Sequence, residues 1–236
     1  MPKTLEDIIA SYQPGPEGVD LVKNTPILLV VGVSGAGKDT IKAKLLETDK
    51  YHNVVSHTTR LPRSNQGVME QDGVEYHFVS LETAELMLRN KGFVEAKYYS
   101  GNVYGTSVGE IRLAHDEGKV AINDVEVKGV AEFKAISSNV VAVFVLPPSF
   151  AIWQQRISSR SGDNTLENID KRLATARVEI EHAVDVGYFH FVINDDLGAT
   201  VQEVDDIAHG KLQKSQENKA LDLARSLLED LDKTIG

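Results

Sequence analysis

Apolar residues along the chain follow two spacings, which predict alternating strands and helices. The continuous apolar run Ile27–Val31 is typical of a strand buried on both faces, and Val120–Val125, Val140–Leu146 and Phe189–Asn194 are further strand candidates. Apolar residues three and four apart around Leu173–Ala183 predict a helix. Strands that alternate with helices favour an α/β fold, in which a parallel sheet is covered by helices on both faces.

Both ends of the chain lie outside this alternating pattern. Residues 1–24 are predicted to be an extension, with a short amphipathic helix before the Pro14-Gly15-Pro16 break. Residues 211–236 are predicted to contain one long helix over Ser215–Ile235, which either packs on its own domain or joins two chains in a homodimer. The apolar residues of these two helices are Leu5, Ile8, Ile9 and Tyr12, and Ala220, Leu223, Leu227 and Leu231.

Composition and charge narrow the possible function classes. The 236 residues are 42% hydrophobic, which is enough for a packed interior, and they include no cysteine, which excludes disulfides and thiolate metal sites. The chain has no signal-peptide pattern and no apolar run of about 20 residues, so we expect a cytoplasmic protein without a membrane partner. The net charge of −10 argues against a nucleic-acid partner, and an anionic substrate would need basic residues concentrated locally.

A glycine-rich segment, Gly32–Thr40, follows the first predicted strand with the spacing of a phosphate-binding P-loop. Its glycines let backbone N–H groups turn toward phosphate oxygens, and the next helix adds partial positive charge at its N-terminus. Lys38 would bridge the β- and γ-phosphates of ATP. The predicted ATP-phosphate ligands are Ser34, Gly35, Ala36, Gly37, Lys38, Asp39 and Thr40.

Asp39 occupies the position after the lysine, where a P-loop usually has Ser or Thr to contact Mg²⁺. A carboxylate can hold Mg²⁺ directly or through water, because the ion prefers oxygen ligands. It can equally repel the phosphates of the nucleotide and slow the reaction. We expect Asp39 to be compatible with catalysis, with Mg²⁺ as the cofactor.

A second group of candidate ligands begins at Ser56–Arg63, which has the sequence Ser-His-Thr-Thr-Arg-Leu-Pro-Arg. The guanidinium fork of arginine suits a phosphate dianion, and serine is a further hydrogen-bond donor. Tyr76 and Tyr104 follow within Glu75–Phe78 and Ser100–Ser107, and their hydroxyls could complete a phosphate site.

With these segments the chain resembles the guanylate kinase family over roughly residues 25–210. The most specific motifs are Ser-His-Thr-Thr-Arg-x-Pro-Arg and Gly-Asn-x-Tyr-Gly-Thr-Ser. The resemblance implies a three-layer P-loop fold with an inserted region that binds a nucleoside monophosphate (about 56–112) and a lid (about 149–175). It further implies transfer of a phosphoryl group from ATP, as co-substrate, to GMP or dGMP.

The resemblance also assigns roles to individual residues. A carboxylate such as Glu95 can accept hydrogen bonds from both N1–H and the exocyclic amine of guanine, whereas adenine has no such donor pair. The implied GMP ligands are Ser56, Arg60, Arg63, Tyr76, Glu95, Tyr104, Thr106, Asp124 and Glu126. The implied catalytic residues are Lys38, Arg60, Arg156, Arg160 and Arg172. Asn194 would lie beside the adenine, and Asp39 and Asp124 would hold the metal.

Three departures from the family pattern leave alternatives open. Glu126 and Lys128 replace the usual aspartate and glutamine near the base site, so the acceptor could be another nucleotide or ribose 1,5-bisphosphate. Asp39 leaves open a guanylate-kinase-like binding module with weak catalysis, although the intact Gly37-Lys38 pair favours an enzyme.

Overall fold

The computed structural model describes residues 4–65, 67–159, 166–211 and 214–235. Its contacts divide the chain into two compact units. The first unit comprises Met1–Ile27, Lys50–Asn123 and Ala131–Val140, and the second comprises Leu28–Asp49, Asp124–Val130 and Val141–Gly236. Each unit is therefore assembled from three separate stretches of the chain.

Helices and strands alternate along the described residues. The helices are α1 (Leu5–Ala10), α2 (Pro16–Asn24), α3 (Lys38–Leu46), α4 (Leu81–Arg89), α5 (Val108–Glu117), α6 (Val127–Ile136), α7 (Phe150–Ser159), α8 (Leu166–Val186), α9 (Leu197–Ala208) and α10 (Lys214–Ile235). The strands are β1 (Ile27–Gly32), β2 (Tyr51–Asn53), β3 (His57–Thr58), β4 (Ser64–Asn65), β5 (Val68–Met69), β6 (His77–Phe78), β7 (Phe93–Tyr99), β8 (Asn102–Ser107), β9 (Val120–Asp124), β10 (Val141–Leu146) and β11 (His190–Ile193).

The first unit is built on a sheet with the strand order β6-β3-β8-β7. Strands β7 and β8 are antiparallel neighbours, and β3 pairs antiparallel with β8 and parallel with β6. The unit also contains the β4–β5 hairpin and the parallel pair β2–β9. Helices α1 and α4 cover the sheet through a buried core of Ile9, Ala84, Leu88, Phe93, Ala96 and Val103.

The N-terminal residues are packed into this first unit. The predicted amphipathic helix is present as α1, whose first turn is capped by Thr4 and Asp7. Helix α2 differs from the prediction, which has only a break at Pro14-Gly15-Pro16. Pro16 is in fact the first residue of α2, where the missing N–H has no cost and the fixed φ suits a helix.

The second unit contains the parallel strands β1, β10 and β11, with β10 paired to both of the others. Together with β2–β9 in the first unit, these strands and the intervening helices confirm the α/β fold. The four predicted strands are present as β1, β9, β10 and β11, with ends shifted by one residue. Within the described ranges, no helix has both the length and the apolar composition needed to cross a membrane.

The C-terminal helix α10 packs on its own unit, against α8 and β11. Its apolar stripe is buried there: Ala220, Ala224, Leu227 and Leu231. An ion pair supports the contact, with Arg177 Nε on α8 2.5 Å from Asp232 Oδ1 on α10. Of the two alternatives for this helix, packing on its own domain is confirmed, and a homodimer stays a prediction.

Candidate active site

The glycine-rich loop after β1 has a backbone that requires glycine at two positions. Gly32 and Gly37 have φ values of 144° and 96°. A Cβ atom on Gly32 would lie 2.3 Å from the carbonyl oxygen of Val145, and one on Gly37 would lie 2.2 Å from Nδ2 of Asn194. Helix α3 begins within this segment, at Lys38, so its N-terminal partial positive charge is available to an anion.

Two side chains from elsewhere in the second unit hold the carbonyl groups of this loop. The Asn194 amide, at the end of β11, donates from Nδ2 to the carbonyl of Ala36 at 2.7 Å. The Trp153 indole, on α7, donates from Nε1 to the carbonyl of Ser34 at 2.8 Å. Both side chains are buried, so the loop is fixed in shape by the protein itself.

A cavity of about 560 Å³ lies between this loop and one face of α8. Loop residues Gly35, Lys38 and Asp39 line one side. The helix contributes Lys171, Arg172, Thr175 and Glu179 to the other side. The Lys38 ammonium also donates to the carbonyl of Gly32 at 2.6 Å. Basic groups thus face the cavity from two elements, as a site for a polyphosphate requires.

Glu179 is an acidic member of this cavity that sequence reasoning missed. Burial raises the pKa of its carboxyl, the Lys38 ammonium opposes that rise, and Glu126 adds to it. Lys171, Thr175 and Glu179 recur every four residues on α8, on the face beside the predicted Arg172, and this spacing is the signal that the sequence offers.

The predicted metal ligand Asp124 is in an ion pair. Lys42 Nζ, one helical turn after Lys38, lies 2.5 Å from Asp124 Oδ1. Desolvation by nearby protein atoms would raise the pKa of this half-exposed carboxyl, but the Lys42 ammonium outweighs this effect and holds the pKa below its usual value. Among the described residues, no three acidic or histidine side chains converge as a preformed metal site. Mg²⁺ does not need one, because it binds through one or two carboxylates together with phosphates and water.

In the first unit, the register of β7 and β8 places a buried carboxylate beside a threonine. Glu95 is opposite Thr106, and its Oε1 accepts from both N and Oγ1 of Thr106 at 2.9 Å. Asn123 Nδ2 donates to Thr106 Oγ1 at 3.1 Å. Glu95 is 7% exposed and Thr106 is fully buried. None of the described residues donates to the other Glu95 oxygen, Oε2, which leaves it available to a ligand.

The protonation of Glu95 is tuned by this environment. Burial raises the pKa of its carboxyl to about 7, hydrogen bonds from Thr106 oppose the rise, and the nearby Glu132 carboxylate adds to it. Glu132 itself is ion-paired with Lys97. The carboxylate therefore changes charge near neutral pH.

Arg60 is held beside two aromatic side chains of the same unit. Its guanidinium forms a fork with the Glu70 carboxylate, at 2.8 Å from NH1 to Oε2 and 3.1 Å from NH2 to Oε1. It also lies 5.2 Å from the ring centre of Tyr76, which is in edge contact with Tyr104. Glu70 additionally accepts from the backbone N–H of Arg63 at 2.8 Å. Sequence reasoning missed Glu70, which orients the predicted phosphate ligands.

Glu110 joins the segments that carry two other predicted ligands. Its Oε2 accepts from the backbone N–H of Val55 at 2.8 Å, and its Oε1 lies 2.9 Å from Nε2 of His77. Val55 precedes Ser56, and His77 follows Tyr76. The buried Glu110 side chain therefore fixes the backbone next to both residues.

Comparison with known proteins agrees with this geometry. The family model described as guanylate kinase matches residues 23–210, which is well over half of the chain. The chain belongs to the guanylate kinase family.

Several guanylate kinases are similar to this chain along most of its length. Guanylate kinase 1 of Oryza sativa subsp. japonica is 40% identical over 180 residues, which are 75% of this chain and 46% of that protein. Guanylate kinase of Schizosaccharomyces pombe is 37% identical over 183 residues, 76% of this chain and 88% of that protein. Guanylate kinase of Rhizobium etli is 34% identical over 215 residues, 90% and 94% of the two chains. The chain therefore spans about half the length of the rice protein and most of the other two.

A solved guanylate kinase shares the fold. The crystal structure of guanylate kinase from Anaplasma phagocytophilum aligns with a TM-score of 0.58 and 24% identity, over 82% of this chain and 90% of that one. The resemblance found in the sequence is thus confirmed at the level of family and fold.

Within this chain, the predicted residues fall into two groups, one in each unit. In the second unit, Arg172 and Lys38 line the same cavity, and Arg156 NH2 donates to the carbonyl of Asn194 at 3.2 Å. In the first unit, Arg60, Tyr76 and Tyr104 lie together. Arg63, Asp124 and Glu126 are exposed, and Arg160 lies outside the described residues.

Proposed function

We propose that this chain phosphorylates GMP or dGMP with ATP, in the presence of Mg²⁺, to give ADP and GDP or dGDP. The observation that carries the proposal is the buried Glu95–Thr106 pair, in a chain that also has a phosphate-binding loop. A carboxylate with a free Oε2 matches the N1–H and exocyclic amine of guanine. The names of the relatives support the same substrate.

On the donor side, the loop and α8 would hold the phosphates of ATP. Backbone N–H groups from Ser34 to Thr40 and the N-terminus of α3 would bind the phosphate oxygens. Lys38, Arg156 and Arg172 would offset the charge that spreads over the transferred group. Arg160 is proposed for the same role on the basis of family position alone. Asn194 would act through the loop, since its side chain holds Ala36.

On the acceptor side, the phosphate of GMP would bind to Ser56, Arg60, Arg63, Tyr76 and Tyr104. Arg60 has a planar fork that is already oriented by Glu70, so little side-chain freedom is lost when a phosphate binds. Thr106 would complete guanine recognition beside Glu95. Asp124 and Glu126 are proposed to contact the acceptor from the family pattern.

The reaction needs no strong base, because a phosphate monoester is already a competent nucleophile at neutral pH. An oxygen of the GMP phosphate attacks the γ-phosphorus of ATP, and the bond to the β,γ-bridging oxygen breaks, so that ADP leaves. Catalysis then depends on positioning and charge stabilisation by the basic residues.

The residues of the loop fit a magnesium ion. Asp39 lines the phosphate cavity and offers a carboxylate to the ion. Asp124 would bind the ion only while its carboxylate is also paired with Lys42. Bound with ATP, Mg²⁺ supplies positive charge that neutralises the phosphate oxygens during transfer. We propose Asp39 as its main protein ligand.

A coupled assay with ATP and Mg²⁺ tests the proposal against its alternatives. The acceptors to compare are GMP, dGMP, AMP, UMP and ribose 1,5-bisphosphate. We expect turnover of GMP or dGMP well above the others. Preferred turnover of ribose 1,5-bisphosphate would identify a related kinase, and the lack of both turnover and ATP binding would identify a binding module.

Glu95 makes GMP use dependent on pH. Because burial raises its pKa to about 7, protonation below that pH removes the acceptor for the guanine N1–H. We expect kcat/KM for GMP to fall by up to about tenfold for each pH unit below 7, since one proton is bound. Initial rates at low GMP from pH 5.5 to 8.5 measure this, with KM for ATP as the internal control. A flat profile for GMP would contradict a recognition role for Glu95.

Glu110 gives a prediction about phosphate binding. Replacing it with alanine leaves the Val55 N–H without its partner and frees the segments around Ser56 and Tyr76. We expect KM for GMP to rise by about tenfold, as the loss of one or two buried hydrogen bonds would allow, with KM for ATP unchanged. Asp116→Ala, at an exposed position on the same helix, is the matched control. Equal rises in both KM values would contradict the prediction.

Three further properties are proposed from the sequence. The partners of the enzyme would be small-molecule nucleotides, and its location would be the cytoplasm. A homodimer would have to form without the apolar stripe of α10, which is buried within the chain. Size-exclusion chromatography with light scattering measures whether the chain is a monomer or a homodimer.

A further inference from the structure

The N-terminal segment of this chain contacts the strand that carries the guanine-recognition carboxylate. The family match begins at residue 23, so almost all of the segment from Thr4 to Asn24 precedes it. Ile9, on α1, nevertheless packs in one buried cluster with Phe93 and Ala96 of β7. These two residues flank Glu95 along the strand.

Strand β7 has an irregularity immediately before Glu95. Phe93 is opposite Ser107 and Glu95 is opposite Thr106, so one extra residue, Val94, is accommodated in β7. Such a bulge removes regular ladder hydrogen bonds and re-aims the side chains beside it. The Thr106 N–H is satisfied by the Glu95 carboxylate itself. The bulge is therefore the local feature that sets the direction of the Glu95 side chain.

Tyr12, between α1 and α2, completes the hydrogen bonding of this bulge. Its hydroxyl donates to the carbonyl of Phe93 at 2.7 Å and accepts from the N–H of Phe93 at 3.1 Å. A single hydroxyl can make both bonds because it has one donor and two acceptor positions. Burial also raises the pKa of the Tyr12 phenol, which keeps its proton in place.

The position of Tyr12 is itself fixed by Lys91. The Lys91 ammonium lies 4.9 Å from the centre of the Tyr12 ring and donates to the carbonyl of Gln13 at 2.8 Å. A cation over an aromatic face and a backbone hydrogen bond together hold the turn after α1 against the start of β7.

We propose that Tyr12 is a positioning residue for guanine recognition, and that the N-terminal segment is part of the acceptor site. The Tyr12 hydroxyl holds the bulge at Phe93, and the bulge directs Glu95 toward the base. This proposal rests on the proposed function of Glu95. It assigns to residues outside the family match a role in acceptor affinity.

Tyr12→Phe tests the proposal, because it removes only the hydroxyl. We expect KM for GMP to rise by about threefold to tenfold, the effect of losing hydrogen bonds at one buried backbone position, while kcat and KM for ATP stay within about twofold. Tyr98→Phe is the matched control, since Tyr98 is a partly exposed tyrosine on β7, the strand that carries Phe93 and Glu95. Amide hydrogen exchange at Phe93 supplies a readout independent of activity, and we expect it to become faster in Tyr12→Phe only.

The outcomes separate this proposal from the function on which it rests. Faster exchange at Phe93 with an unchanged KM for GMP, or equal rises in both KM values, would overturn the proposal. A wild-type enzyme that does not phosphorylate GMP would overturn the proposed function instead. If Tyr12→Phe does not fold, Lys91→Met decides: a rise in KM for GMP alone supports the role of Tyr12, and no change overturns it.

Discussion

Replacing Lys38 with methionine is expected to lower kcat by about 10³-fold or more, because the reaction depends on charge stabilisation of the transferred phosphoryl group. Lys38 begins α3 and lines the phosphate cavity, with its ammonium 2.6 Å from the carbonyl of Gly32. Methionine keeps most of the side-chain volume and removes the charge. The coupled assay at saturating ATP and GMP measures the loss.

Lys44→Met is the control for this variant. Lys44 is an exposed residue of the same helix and pairs with Glu47, so its replacement removes the same charge outside the cavity. We expect its activity to remain close to that of the wild type. If Lys38→Met retained activity within about tenfold of the wild type, the Lys38 ammonium would not stabilise the charge of the transferred phosphoryl group as proposed.

Replacing Glu95 with glutamine is expected to reduce kcat/KM for GMP by about 100-fold or more, since a site built for a hydrogen-bonding partner rejects a mismatched one strongly. The glutamine can still accept from Thr106 through its oxygen. Its NH₂ group would then face the donors of guanine instead of accepting from them. Steady-state kinetics with GMP and AMP measure both the loss and any change in preference.

The same variant is expected to be more stable than the wild type above pH 7. The folded-state pKa of Glu95, about 7, is above its usual value of 4.5, so the folded protein binds this proton more tightly than the unfolded chain does. The proton on Glu95 therefore makes its full contribution to the stability of the fold below pH 4.5, and this contribution is lost as the pH rises through about 7. We expect a higher Tm for Glu95→Gln at pH 8 and little change at pH 4.5. An exposed control, Glu82→Gln, should show neither effect.

The phosphate loop was predictable from the sequence because its requirements are local. Gly32, Gly37 and Lys38 are fixed by backbone conformation and by their distance along the chain. The long apolar strands were predictable for a similar reason, since burial on both faces leaves a continuous run such as β1. The resemblance added the pairing of Glu95 with Thr106, which periodicity alone does not indicate.

The residues that support the site were not predictable in this way. Glu70 binds Arg60, which is 10 residues away in the sequence. Glu110 binds His77 and Val55, which are 33 and 55 residues away. Tyr12 binds Phe93, which is 81 residues away. Nothing in their own neighbourhood distinguishes them from surface carboxylates or from a tyrosine on an amphipathic helix. Their roles follow only from tertiary contacts.

The contact between Gly37 and Asn194 has a consequence for how this loop can change during evolution. Any side chain at position 37 would displace the amide that holds the carbonyl of Ala36. A replacement of Asn194, in turn, would remove the hydrogen bond that its amide donates to the carbonyl of Ala36. The two positions, 157 residues apart, are therefore coupled in one direction. A lineage that replaces Gly37 is expected to lose Asn194 as well, whereas one that replaces Asn194 should still keep Gly37, because a φ of 96° favours glycine by itself.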